Sequence, residues 1–129
     1  MTGKHESESP RDQRRVLVVD DDPSLRLAIE WALQDEGLSV MGAGDGQEAI
    51  ERGTEQRPAL VVLDMGLPVV SGDGVAAGLR AAHGTQLPIL IITADGKAAE
   101  KARRVGAFDY LHKPFDLADL VAAVHRGLA

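Results

Sequence analysis

Near the start of the chain, the segment Val16-Leu17-Val18-Val19-Asp20-Asp21-Asp22-Pro23 is an apolar run that ends on three carboxylates. Three other apolar runs also end on a polar residue: residues 60–63 before Asp64, residues 87–92 before Thr93, and residues 107–112 before Lys113 and Pro114. Short apolar runs bounded by turn residues are typical of strands buried on both faces, as in a parallel sheet. Because parallel strands end at one edge, these polar residues are expected to meet there.

Helical patterns separate the apolar runs. Asp22 and Pro23 form a helix start signal, and Gly37 a stop signal. We predict strands at residues 16–19, 38–43, 60–64, 88–92 and 107–111, and helices at 23–36, 47–52, 74–82, 97–105 and from 116 onward. Five βα units predict a doubly wound, flavodoxin-like α/β sandwich with right-handed crossovers and strand order 2-1-3-4-5. Residues 1–15 are predicted to form a flexible tail, and residues 16–129 one domain.

The composition excludes several classes of protein. Hydrophobic residues make up 44% of the 129 residues, which is too many for a disordered chain. The formal charge of −6 argues against direct nucleic-acid binding by this domain. There is no cysteine, and no apolar run is long enough for a membrane span or a signal peptide. We therefore expect a cytoplasmic protein with no membrane contact.

The residues predicted at the sheet edge have a common chemistry. Asp20 and Asp21 follow the first strand and Asp64 ends the third, and these strands are neighbours in the predicted order. Crowded carboxylates repel one another unless a cation lies among them, and oxygen-only ligands favour Mg²⁺ over zinc. Lys113 would add a positive charge, and Thr93 a hydroxyl donor. Together they predict a cradle for a phosphoryl group with a carboxylate as the nucleophile.

Four motifs in this order resemble the response-regulator receiver domain: Val-Val-Asp-Asp-Asp-Pro, Val-Leu-Asp-Met-Gly-Leu-Pro, Ile-Ile-Thr-Ala and Tyr-Leu-His-Lys-Pro-Phe. The resemblance covers about residues 16 to 128. It implies that Asp64 accepts a phosphoryl group from a phosphohistidine on a sensor histidine kinase or histidine phosphotransfer protein. It also implies that the surface formed by the fourth helix, the fifth strand and the fifth helix then changes and signals to a downstream partner.

The resemblance also assigns roles to the other site residues. Asp21, Asp64 and the carbonyl of Gly66 would bind Mg²⁺, and Asp20 would act through a metal-bound water. Lys113 would contact a phosphoryl oxygen, with the Lys113–Pro114 bond expected to be cis. Thr93 would swing toward the phosphoryl group, and Tyr110 would follow inward as the second half of the switch.

Two positions depart from the common family pattern. Gly66, two residues past Asp64, stands where many receivers carry a longer side chain. Asp95, two residues past Thr93, is an acid. Both would lie near the path of an attacking water, so the lifetime of the phosphoryl group is open.

The first predicted helix carries an unusual pair of apolar residues. Leu27 and Trp31 are four positions apart, on a face away from the core stripe, and Arg26 and Glu30 are expected at solvated positions. Isolated exposed apolar residues are normal. The sharper hypothesis is a contact patch, because the first helix of a receiver is where the partner kinase or phosphotransfer protein docks.

Two other functions stay open. A phosphohydrolase of the haloacid-dehalogenase type also uses Asp, Mg²⁺, Thr and Lys, but its nucleophile lies on the first strand. A receiver-like interaction module that is not phosphorylated would have the same fold. The sequence does not indicate the output, and both a stand-alone receiver and one cut from a longer protein are compatible with it.

Overall fold

In a computed structural model, which describes residues 14–129, the strands form one parallel sheet in the order β2-β1-β3-β4-β5. The predicted fold class and strand order are therefore confirmed. The tail predicted for residues 1–15 lies, except for its last two residues, outside the described part of the chain. The strands are β1 (Val16–Val19), β2 (Val40–Ala43), β3 (Leu60–Asp64), β4 (Ile89–Thr93) and β5 (Asp109–His112).

A helix follows each strand. The helices are α1 (Pro23–Asp35), α2 (Gly46–Glu55), α3 (Gly72–His83), α4 (Ala98–Val105) and α5 (Leu117–Leu128). Asp22 caps α1 as predicted, and its side chain accepts hydrogen bonds from the amides of Ser24 and Leu25. Gly106 ends α4 in the left-handed region, at φ 67°. Within residues 14–129, no helix is long and apolar enough to cross a membrane.

The core lies on both faces of the sheet. Every residue of β1, β3 and β4 is buried, as expected for strands covered on two sides. On one face the sheet packs against α2, α3 and α4, through side chains such as Val75 and Leu79. On the other face it packs against α1 and α5, through Ile29, Leu33 and Leu120. Helices thus cover both faces of the sheet, and the carboxyl ends of the strands are where ligands bind in sheets of this kind.

The element bounds differ from the prediction where local hydrogen bonds at helix ends change where an element starts or stops. Strand β2 begins at Val40 rather than at residue 38, because Leu38 turns back and donates its amide to the carbonyl of Leu33. Helix α3 is longer than predicted, since Ser71 caps it by accepting from the amide of Gly74. Leu117, the first residue of α5, is 37% exposed.

Val69, in the loop between β3 and α3, has an unfavourable backbone conformation. Its φ is 62°, and its side chain is fully exposed. A β-branched residue in this region costs about 1–3 kcal/mol, and no burial offsets that cost here. We expect Val69→Gly to raise the free energy of unfolding by about 1 kcal/mol in urea denaturation. This is a net value, because the greater conformational freedom of glycine in the unfolded chain offsets part of the relieved strain. Val69→Ala keeps the Cβ and should gain less. A less stable glycine variant would contradict the prediction.

Candidate functional site

Four strands bring the predicted site residues to one edge of the sheet. Asp20 follows β1, Asp64 ends β3, Thr93 ends β4 and Lys113 follows β5. The Nζ of Lys113 lies 2.9 Å from Oδ2 of Asp20 and 3.4 Å from Oδ2 of Asp64. Residues more than ninety positions apart in the sequence therefore form one polar cluster, because the sheet is parallel.

Three carboxylates meet in this cluster. Asp20, Asp21 and Asp64 each offer one oxygen, and these oxygens all lie within 4.8 Å of one another. Asp20 and Asp64 are buried, whereas Asp21 is exposed. An all-oxygen set that is open to solvent on one side suits a hard cation that keeps part of its water, such as Mg²⁺. The three predicted carboxylates are thus present in one place.

The backbone fixes one oxygen of each buried carboxylate. Oδ1 of Asp20 accepts from the amide of Asp22 at 2.9 Å, and Oδ1 of Asp64 accepts from the amide of Gly66 at 2.9 Å. Oδ2 of Asp20 is buried, and the Lys113 ammonium lies 2.9 Å from it as an ion-pair partner. One ammonium offsets only part of the negative charge of three crowded carboxylates, so a cation or its bound water would offset the rest.

The electrostatics of Asp64 and Lys113 follow from this crowding. Burial and the charge of Asp20 raise the pKa of the Asp64 carboxyl, against the opposing effects of the Gly66 amide and Lys113. Burial alone would lower the pKa of Lys113, but its contact with Asp20 and the charges of both carboxylates outweigh burial and raise it. Lys113 thus stays charged, and Asp64 is a more basic carboxylate than usual.

Thr93 is connected to α4 through Asp95. The Thr93 hydroxyl is buried and accepts a long hydrogen bond, 3.4 Å, from the amide of Asp95. The Asp95 carboxylate accepts from the amide of Lys97 at 2.8 Å and forms an ion pair with Lys101 of α4. The Lys101 contact, followed by the Lys97 amide, lowers the pKa of Asp95. This acid is therefore held by α4 in the present state.

Tyr110, Leu27 and Trp31 lie outside the cluster. Tyr110 on β5 is 43% exposed, so its ring is in an outward position. Leu27 and Trp31 are 43% and 62% exposed on α1, as the sequence pattern predicted. The roles of these three residues stay predictions.

Sequence reasoning missed or misplaced several residues near the site. Arg26 and Glu30 were expected at solvated positions, but their side chains are only 25% and 20% exposed. That expectation was wrong, because both side chains fold over strand β2 at the edge of the sheet.

A cavity of about 430 Å³ also opens beside Lys113. It is lined by Asp22, Leu25, Ala94, Lys113, Pro114 and Phe115. The Lys113–Pro114 bond is cis, as expected.

The family model of the response regulator receiver domain matches residues 16–125. The chain belongs to this family. Receiver domains are signalling domains of two-component systems rather than catalytic proteins, which argues against the phosphohydrolase interpretation that the sequence had left open.

Curated relatives of this receiver domain are named as regulators. It is 37% identical over 132 residues to the transcriptional regulatory protein PdtaR of Mycobacterium tuberculosis, covering 100% of this chain and 63% of that protein. It is 42% identical over 112 residues to the transcriptional regulatory protein PrrA of Mycobacterium bovis, covering 85% of this chain and 48% of that protein. The receiver domain thus spans about half to just under two thirds of the length of these relatives.

Solved structures show the same fold. The chemotaxis protein CheY4 of Vibrio cholerae superimposes with a TM-score of 0.82 at 32% identity, over 89% of this chain and 98% of that one. The receiver domain of NtrX from Brucella abortus gives a TM-score of 0.80 at 31% identity, over 88% and 97%. These likenesses agree with the fold of the described residues.

Proposed function

We propose that this receiver domain accepts a phosphoryl group on Asp64 from a phosphohistidine of a sensor histidine kinase or histidine phosphotransfer protein. The observation that carries the proposal is the position of the Asp64 carboxylate, which has an oxygen within 4.8 Å of oxygens of Asp20 and Asp21 and lies 3.4 Å from the Lys113 ammonium. In the transfer, an Asp64 oxygen attacks phosphorus, a P–O bond forms and the P–N bond to histidine breaks. The histidine nitrogen keeps the electron pair of that bond.

The residues around Asp64 have separate tasks in this transfer. Asp64 attacks as the ionised carboxylate, and its raised basicity makes it a better nucleophile once deprotonated. Lys113 neutralises charge on the phosphoryl oxygens and is already placed 3.4 Å from Asp64. The amide of Gly66 holds Oδ1 of Asp64 and so orients the nucleophile.

Mg²⁺ is the cofactor that these residues fit. Asp21, Asp64 and the carbonyl of Gly66 would hold the ion directly, and Asp20 would act through one of its waters. When bound, Mg²⁺ neutralises the crowded carboxylates and the charge of the incoming phosphoryl group. The convergence of the three carboxylates, whose oxygens lie within 4.8 Å of one another, supports this assignment.

The output of the site is proposed to pass through Thr93 and Tyr110. Thr93 would leave its long bond with the Asp95 amide and donate to a phosphoryl oxygen, and Tyr110 would move inward from its exposed position. The surface of α4, β5 and α5 would change as a two-state element biased by phosphorylation. The downstream partner is not identified by the domain. A cytoplasmic location and the lack of direct nucleic-acid or membrane binding are part of the same proposal.

Acetyl phosphate with Mg²⁺ provides the test of this function. We expect intact-mass measurement of the treated chain to show one added phosphoryl group, and a much smaller fraction of modified chain when EDTA removes Mg²⁺. The alternative, a receiver-like module that is not phosphorylated, predicts no added mass under either condition. Labelling that does not depend on Mg²⁺ would contradict the role of the acidic cluster.

A further inference from the structure

We propose that Arg26 is a positioning residue that fixes the Asp20–Asp21 backbone for Mg²⁺ binding, an inference that rests on the proposed function. Arg26 lies on α1, and its guanidinium Nη1 donates a 2.7 Å hydrogen bond to the backbone carbonyl of Asp20. The guanidinium therefore contacts the main chain of the acidic cluster rather than one of the cluster's three carboxylates. A charged donor makes this bond stronger than one between neutral groups.

The bond from Arg26 to the Asp20 carbonyl lies just past the last hydrogen bond between β1 and β2. The last hydrogen bond between the β1 and β2 segments runs from the amide of Asp20 to the carbonyl of Ala43, at 3.1 Å. The carbonyl of Asp20 belongs to the peptide group that continues into Asp21. By holding this carbonyl, Arg26 fixes the orientation of the peptide plane between the two acids.

The direction of the Asp21 carboxylate depends on this peptide plane more than the directions of the Asp20 and Asp64 carboxylates do. Oδ1 of Asp20 and Oδ1 of Asp64 each accept from a backbone amide. Across residues 14–129, by contrast, the Asp21 carboxylate has no hydrogen bond or ion pair and is exposed. Its direction is therefore determined mainly by the backbone to which it is attached. A loosened Asp20–Asp21 peptide would move Asp21 away from the other two carboxylates.

Arg26 is itself held in place from two sides. Its Nε lies 3.7 Å from Oε2 of Glu30, one turn further along α1. Glycines in and after β2 leave room for the pair: a Cβ on Gly42 would overlap Oε2 of Glu30, and one on Gly44 would come within 3.1 Å of Nη1 of Arg26. The partly buried side chain of Arg26 thus loses little further freedom when it binds the carbonyl.

The sign of the expected effect separates positioning from simple electrostatics. Arg26 is a cation near a cation site, so removing its charge would by Coulomb's law strengthen Mg²⁺ binding. Removing a positioning residue would weaken it instead, because the carboxylates no longer converge. Loss of an outer group that orients metal ligands typically costs about 10–100-fold in metal affinity.

A Mg²⁺ titration followed by amide NMR shifts tests the inference. We expect Arg26→Met to raise the dissociation constant for Mg²⁺ about tenfold, the lower end of that range. Glu30→Gln is the matched control, because it removes the ion pair but keeps the bond to Asp20, and its affinity should stay within about twofold of the wild type. Asp21→Ala reports on the proposed site itself and should weaken binding more than Arg26→Met does.

The outcomes are distinguishable. If Asp21→Ala binds Mg²⁺ as well as the wild type does, the proposed metal site is wrong, and the positioning role of Arg26 is then overturned as well. If Asp21→Ala loses affinity while Arg26→Met keeps or gains it, only the positioning role is overturned. Should Arg26→Met fail to fold, Arg26→Gln decides the matter, because its shorter, neutral side chain lacks the guanidinium that donates to the Asp20 carbonyl. Weaker binding supports the inference there, and unchanged affinity overturns it.

Discussion

Asp64→Asn is expected to abolish phosphorylation and, without Mg²⁺, to raise the stability of the fold. The amide of asparagine is not a nucleophile toward phosphorus, so intact mass should show no phosphoryl group after treatment with acetyl phosphate and Mg²⁺. Asp45→Asn is the control, because asparagine caps a helix as well as aspartate does and Asp45, the cap of α2, has no role in the cluster. A phosphoryl mass on Asp64→Asn would show that another residue is the acceptor.

The gain in stability follows from the pKa of Asp64. Burial and the charge of Asp20 raise this pKa in the folded state, so the ionised carboxylate is less favourable there than in the unfolded chain. The substitution removes this charge, while Lys113 keeps its ion pair with Asp20. We expect the free energy of unfolding at pH 7 to rise by on the order of 1 kcal/mol in urea denaturation.

The dependence on pH has a definite sign. A carboxyl with a raised folded-state pKa destabilises the fold when it is ionised, and this loss disappears as the pH falls through that pKa. The advantage of Asp64→Asn should therefore be full at neutral pH and shrink with acidification. Saturating Mg²⁺ should also shrink it, since ligand binding stabilises the wild type. An advantage that grows toward low pH would contradict this account.

The same variant tests the proposed switch. Beryllofluoride, a phosphate mimic, should shift amide signals within about residues 94–125 of the wild type, which cover α4, β5 and most of α5. Asp64→Asn should show no such shifts. Changes confined to α2 and α3 in the wild type would contradict the proposed output surface.

The site could be predicted because each of its residues ends or directly follows a strand. The apolar runs before Asp20, Asp64 and Thr93 form buried strands and are strong local signals, whereas β5 before Lys113 is only partly buried, so the expectation of burial on both faces was wrong there. A parallel sheet places the strand ends together without further information. The pattern does not show which carboxylate oxygen a backbone amide holds, as the Gly66 amide holds Oδ1 of Asp64. Nor does it show that Tyr110 is 43% exposed.

Arg26 is the clearest example of a side-chain position that the sequence pattern does not predict. An arginine one position from an exposed apolar residue on a helix is ordinarily solvated, and the periodicity of α1 gave no reason to expect otherwise. Its bond to the Asp20 carbonyl depends on the glycines in and after β2, at positions 42 and 44, which leave space over the edge of the sheet. Neither glycine carries that information by itself, since glycine at a strand end is usually part of a turn.

Trp31→Ala is expected to slow phosphotransfer from the partner kinase and to leave labelling by acetyl phosphate unchanged. Leu27 and Trp31 lie four and eight residues after Pro23, at which α1 begins beside the acidic cluster. At about 1.5 Å per residue, they are roughly 6 and 12 Å along the helix from that end. Both are exposed, and a docked helix beside the site would cover them.

Tryptophan is the residue most enriched among interface hot spots, where truncation costs about 2 kcal/mol or more, which corresponds to roughly 30-fold in rate. The measurement uses the histidine kinase that labels the wild-type chain fastest, with Gln34→Ala as the control, since Gln34 is exposed one turn further along α1. Stability should change by less than about 0.5 kcal/mol, because Trp31 is 62% exposed. Equal slowing with acetyl phosphate would place the defect in the site or the fold rather than in docking. Unchanged rates with both donors would show that Leu27 and Trp31 are ordinary surface residues.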